Sequence, residues 1–165
     1  MTLAYELVTS LNLPDWNEAR AGYRPDEMDA INRELSSFQK MANEELGGEA
    51  KFHPDVGPEL TRKLTAQALV DLADHECAYA DIAPANWKNY AATYLKAWVA
   101  QLDPLTLMRL GELFAKAGLR NEAKDTLRVV LLFPTYADTY YSGQRNVDLV
   151  DDIVNSAKEA LEQLQ

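Results

Sequence analysis

The chain has a single cysteine, Cys77, among its 165 residues, so no disulfide can close within it. It has two histidines, His53 and His75. A histidine-based triad or a His-rich metal site therefore has almost nothing to draw on. Seven glycines and seven prolines fall mostly between periodic segments rather than in a loop that cradles phosphate. Gly47-Gly48 lacks the Lys and the Ser or Thr of a nucleotide site. Ser36, Ser37, Ser142 and Ser156 lack the glycine context of a nucleophile elbow. No uninterrupted apolar run approaches the roughly 18 residues of a membrane span. The opening MTLAYELVTS lacks the basic stretch and apolar core of an export signal, which makes the cytoplasm the expected location. Positive charge is also scarce. Sixteen Lys and Arg face twenty-six Asp and Glu, a net charge of −10. That balance disfavours nucleic acid and anionic membrane surfaces, both of which need clustered cations. It suits a basic protein partner, and it equally serves plain solubility.

What is present is 47% hydrophobic and 25% charged residues, the composition of a globular chain long enough to bury a core without metals or disulfides. The spacing of the apolar residues is helical nearly throughout. Leu3, Leu7, Val8 and Leu11 predict a short first helix. Residues 12–24 read as a loop whose Trp16 and Tyr23 pin it to the body. Pro25-Asp26-Glu27 is a helix opening, with a proline and two acids in the first turn. Met28, Ile31, Leu35, Phe38, Met41 and Ala42 form the stripe of that helix, and Gly47-Gly48 ends it. Phe52-His53-Pro54-Asp55 reads as a turn. The His-Pro-Asp tripeptide resembles the signature of J-domain co-chaperones, but the acidic, glycine-broken segment before it is unlike that family's basic helix. A further helix opens at Pro58 or Glu59 and runs to about Tyr79 through Leu60, Leu64, Ala68, Leu69, Leu72 and Ala73. Asp74-His75-Glu76-Cys77 within it are ligand-type residues, but neighbours on a helix diverge by about 100° and cannot converge on one metal. Cys77 is expected to be a small buried hydrophobe. Residues 83–102 carry Trp87, Tyr90, Ala91, Tyr94, Leu95, Trp98, Val99 and Leu102, a stripe wide enough for burial on two sides. Tyr136, Tyr140 and Tyr141 follow later in a segment short of aliphatics. They form a candidate aromatic surface, or rings covering the end of the fold. Val147, Val150, Ile153, Val154, Ala157, Leu161 and Leu164 give a last helix, with Asp148, Asp151, Asp152, Glu159 and Glu162 facing outward.

The stretch from Pro104 to Pro134 organises the rest. Leu107, Leu110, Phe114 and Ala117 recur at helical spacing, Gly118 interrupts, and Asn121 is a candidate cap for a second helix. Ala123, Leu127, Val130 and Leu131 then recur before Pro134 stops the run. Two helices of about 12 residues joined by so short a turn must lie antiparallel. Leu107, Leu110-Gly111, Phe114, Gly118, Glu122-Ala123, Leu127, Val130 and Leu131 resemble one tetratricopeptide repeat, at about 104–137. Gly111 and Ala123 are the small residues at the helix crossing. Leu107 stands where that family often has Trp. An ordinary helical hairpin in a bundle would use the same small residues for the same reason. Residues from about Ala73 to Pro104 could form a preceding, degenerate repeat with Ala92 at its crossing.

The expectation is one all-α domain of six or seven helices. Its N-terminal helices lie in 1–82, and tetratricopeptide-like antiparallel hairpins, closed by the last helix, lie in 83–165. No catalytic, metal-ligating or cofactor-binding set emerges, so no enzymatic activity and no cofactor is expected. The resemblance implies a non-catalytic protein-interaction module that holds a peptide or protein on the concave face. Carried onto the matching helix, that face presents Leu105, Met108, Glu112, Ala115 and Lys116. The alternative is a small acidic chaperone or immunity-type protein masking a basic partner with its charged surface. Neither nucleic acid nor membrane is an expected partner, and the chain is expected to be a monomer or weak homodimer.

Overall fold

The computed structural model of the chain describes residues 22–45, 57–133 and 144–165. Every regular element among them is helical, as the spacing predicts: α1 (Pro25–Glu45), α2 (Gly57–Cys77), α3 (Trp87–Ala100), α4 (Pro104–Lys116), α5 (Arg120–Val130) and α6 (Gln144–Gln163). The expected helix at 3–11, Trp16, the His53-Pro54-Asp55 turn and the tyrosine segment at 135–143 lie outside the described residues. Among the described residues no helix is long and apolar enough to cross a membrane.

The ends of the helices follow from local chemistry. Arg24 precedes α1, and the Glu27 carboxylate reaches back to accept from the Arg24 backbone N–H at 2.8 Å, half of a capping box. Asp103 caps α4 by accepting from the Leu105 N–H at 2.8 Å, and Pro104 takes the first helical position, where its missing N–H costs nothing. At the other end of α4, Gly118 adopts a φ of +81°. Its N–H reaches the Ala115 carbonyl while the Leu119 N–H reaches that of Phe114, the double bond pattern that terminates a helix on a left-handed residue. The starts of α3 and α5 differ in kind from expectation. α3 opens at Trp87 rather than Ala83, because Pro84, Ala85 and Asn86 form a turn closed by the Trp87 N–H on the Pro84 carbonyl. Asn121 lies inside α5 rather than capping it. The residue before the helix is Leu119, which has no side-chain cap and whose carbonyl accepts from the Ala123 N–H.

Each helix packs on its successor where both are described, and α4 also meets α2 and α6. Two cations fix the directions. Lys116, at the end of α4, donates to the carbonyls of Cys77 and Ala78 at the end of α2. Arg120, at the start of α5, donates to the carbonyl of Leu164 just past α6. The C-terminal ends of α2, α4 and α6 therefore share one end of the molecule, with α3 and α5 running the other way. Cations at helix C-termini satisfy orphan carbonyls and oppose the helix dipole.

Two apolar cores result. The larger joins the end of α2 to α3, α4, α5 and α6 through Tyr94, Trp98, Leu110, Phe114, Leu127 and Val154, among others. Trp87 meets Phe114 and Trp98 meets Phe133 in edge-on ring contacts. The smaller core lies among α1, α2 and α3 and is mostly alanine: Ala30, Ile31, Ala66, Ala68, Leu69 and Ala97. Helix α3 serves both, and all eight residues from Ala91 to Trp98 are buried. Val99, placed by spacing in the aromatic stripe, is exposed. On α1, Ile31 and Leu35 of the expected stripe pack on the smaller core, but its two methionines do not. Glu27, Ala30 and Ile31 face inward, while Met28 and Met41 are exposed. Tyr23 is exposed rather than pinned. On α6, Val150, Ile153, Val154 and Ala157 are buried while Asp151, Asp152, Glu159 and Glu162 face solvent, as the spacing requires.

Candidate functional site

The face carried over from the resemblance belongs to α4, the helix with neighbours on most sides. Met108 is only 8% exposed and sits within the larger core. Leu105 and Ala115 are half-buried against that core. Glu112 accepts from Arg109 at 3.1 Å. Lys116 spends its ammonium on the end of α2, at 2.8 Å from the Cys77 carbonyl and 3.2 Å from that of Ala78. The five residues thus mostly serve contacts inside the molecule. Tyr136, Tyr140 and Tyr141 lie outside the described residues.

The crossing inside the hairpin is close. A Cβ placed on Gly111 would lie 2.8 Å from both Cγ and Cδ2 of Leu127 on α5. Only hydrogen fits there, so the leucine packs directly on the α4 backbone.

Around α4 the structure assembles a polar cluster that spacing did not indicate as one. The Tyr94 hydroxyl on α3 donates to the Asp74 carboxylate on α2 at 2.6 Å, and Arg109 Nε on α4 lies 3.6 Å from the same carboxylate. Burial raises the Asp74 carboxyl above its usual range, against the lowering effects of Tyr94 and Arg109. Burial and the Asp74 charge raise the Tyr94 hydroxyl as well. For Arg109, burial lowers the affinity for its proton, but the bond to Glu112 and the nearby charges more than offset this. Cys77 is buried beside the cluster, and burial pushes its thiol up to about 11. Tyr94 and Cys77 therefore stay protonated near neutral pH, which suits neither to act as base or nucleophile. His75 points to solvent beside Glu76 at 3.3 Å, away from both.

A second cluster was also missed, and it is deeper. Glu27 is fully buried. Its carboxylate accepts from Lys96 Nζ at 2.6 Å, from Thr93 Oγ1 at 2.6 Å and from the Arg24 N–H at 2.8 Å. The Arg24 guanidinium lies 3.4 Å away and also donates to Thr93 Oγ1 at 2.9 Å. Lys96 is only 6% exposed. A full ion pair with its donors thus locks the start of α1 onto α3. The available signal was a lysine inside an otherwise apolar helix, three residues after a threonine, but nothing local names its partner. An open depression lies on the outer side of α1 among Asp29, Asn32, Arg33 and Ser36, all solvent-facing.

Comparison with family models, with curated proteins and with solved structures finds no match to this chain.

Proposed function

We propose that the chain is a non-catalytic protein-interaction module of the tetratricopeptide-like kind, in which hairpins stack to present side-by-side helices to a partner. The observation that carries this reading is the repeated arrangement: α2, α4 and α6 point the same way and α3 and α5 the other. The tight seat of Leu127 on Gly111 at the centre of one hairpin adds to it.

A second reading is favoured by the net charge of −10. On it, the chain is a small acidic chaperone or immunity-type protein that covers a basic protein, and its encounter is accelerated by the field. One experiment bears on both. The whole chain is used as bait in a lysate of its source at low salt, and the captured complex is challenged with about 0.5 M NaCl, where exposed charges are screened beyond a few ångströms. A specific partner that survives salt supports apolar recognition, and one released by it supports neutralisation. Reproducible failure to retain any protein, by a chain shown to be folded, overturns both.

A further inference from the structure

The connector between α2 and α3 carries the two most exposed large apolar residues described, Tyr79 at 90% and Ile82 at 77%. The short segment that bears them is clamped at both ends. Before it, Cys77 is buried, the Ala78 N–H bonds the Asp74 carbonyl, and Lys116 holds the carbonyls of Cys77 and Ala78. After it, Ala83 packs on the larger core, the Pro84 turn closes on Trp87, and Trp87 rests on Phe114. Between these clamps the chain turns Tyr79 and Ile82 outward. Anchoring them this way leaves little backbone entropy to lose on binding, and a tyrosine has few rotamers to fix.

The exposed charged side chains next to the pair in the chain are both acidic. Glu76, three residues before Tyr79, and Asp81, next to Ile82, are exposed. The Lys116 ammonium is taken up by the carbonyls of Cys77 and Ala78. The C-terminal ends of α2, α4 and α6 lie at this end, each directing negative dipole outward, partly offset by Lys116 and Arg120. An apolar anchor with an acidic surround repels phosphate and anionic lipid, and it repels another copy of a chain of charge −10.

We propose that the α2–α3 corner, with Tyr79 and Ile82 as anchors and Glu76 and Asp81 beside them, is the docking point for a basic protein segment that presents an apolar or aromatic side chain flanked by Lys or Arg. This rests on the interaction reading above and names where the partner binds and its chemistry. The corner has the make-up of a binding hot spot: a central aromatic with polar groups around it.

The test titrates the isotope-labelled full chain with two synthetic peptides of equal length. One has a central Trp-Leu pair flanked by lysines, and the other has the same pair flanked by glutamates. The basic peptide is expected to shift the amides of 76–83 and to bind at least about tenfold more tightly than the acidic one, with the preference falling as salt rises. Tyr79→Ser with Ile82→Ser should lose about tenfold or more for the basic peptide at unchanged melting temperature, since both side chains are exposed. Glu76→Lys with Asp81→Lys should reverse the preference between the peptides. Equal binding of both peptides, shifts confined to another face, or unchanged affinity in the serine variant overturns the proposal. Self-association of the chain that the serine variant abolishes also overturns it, by assigning the corner to a second copy. The two readings fail separately. If a protein captured from the lysate binds the serine variant as well as the natural chain, the corner is wrong and the interaction reading stands.

Discussion

Removing both partners of the Glu27–Lys96 pair should cost less than the sum of removing each alone. The two side chains are buried, with Lys96 Nζ 2.6 Å from the carboxylate. Glu27→Gln keeps the shape but leaves an ammonium buried without an anion, and uncompensated buried charges typically cost about 3–5 kcal/mol. Lys96→Met leaves the carboxylate with Thr93, the Arg24 N–H and the Arg24 guanidinium still aimed at it. Its expected cost is smaller, about 1–3 kcal/mol. The double variant removes both buried charges, so it should fall short of the sum by about 1–3 kcal/mol. The order of severity is therefore Glu27→Gln first, with the double variant well below the sum of the singles. The assay is urea unfolding, because urea does not screen charge, with the midpoint and slope compared across the four proteins. The small core beneath α1 buries one isoleucine, one leucine and four alanines, with Leu35, Val70, Leu72 and Ala100 half-buried against it. It is the smaller of the two cores, so α1 is the helix most exposed to loss of the pair. A reduced slope, or early loss of protection in the α1 amides, is expected for Glu27→Gln. Single variants that each cost less than about 0.5 kcal/mol, or a double variant that equals their sum, would refute the reasoning.

Three further outcomes follow from the same geometry. Gly111→Ala gains about 1 kcal/mol of helix propensity but drives a methyl to 2.8 Å from Leu127, so a net loss of about 1–2 kcal/mol is expected. On a Leu127→Ala background the same change should become neutral or stabilising, as a thermal double-mutant cycle would show. Cys77 should resist alkylation at pH 8 until the chain unfolds, since its thiol is buried and pushed up to about 11. Because that value lies above the ordinary 9.0, the stability involved is fully present below about pH 9 and lost as pH rises through about 11, and Cys77→Ala should flatten that alkaline fall in urea melts. Lys116→Met should cost about 1–2 kcal/mol by releasing the two carbonyls at the end of α2, with hydrogen exchange quickening first around 74–78 rather than in α4. Uniform quickening along α4 would mean that the lysine acts through packing instead.

Local chemistry made the hairpin legible. The repeat spacing of Leu107, Leu110 and Phe114, the break at Gly118 and the restart at Ala123 all act within one or two turns, and α4 and α5 lie where that spacing places them. The Asp103-Pro104 start and the left-handed Gly118 are of the same kind, because caps are settled by residues two to five apart. Asn121 shows the limit: asparagine is a good cap, but the cap position falls two residues earlier, on Leu119, and the helix starts at Arg120.

The sequence by itself determined that the chain would be helical, where most helices run, and that α6 turns its acids outward, because each depends on periodicity and near neighbours. Tertiary structure alone decided the charges. Glu27 reads locally as an acid in a helix's first turn and Lys96 as one polar residue in an aromatic helix. They meet only when the start of α1 is brought against α3, 69 residues apart in the chain. Asp74 and Arg109 likewise belong to different helices and meet across a helix join. The same holds for which side of α1 is buried, and for Tyr79 and Ile82, which spacing treats as the fringe of a helix and a loop. A side chain's exposure is set by what packs over it, and that is a property of the assembled helices rather than of any one of them.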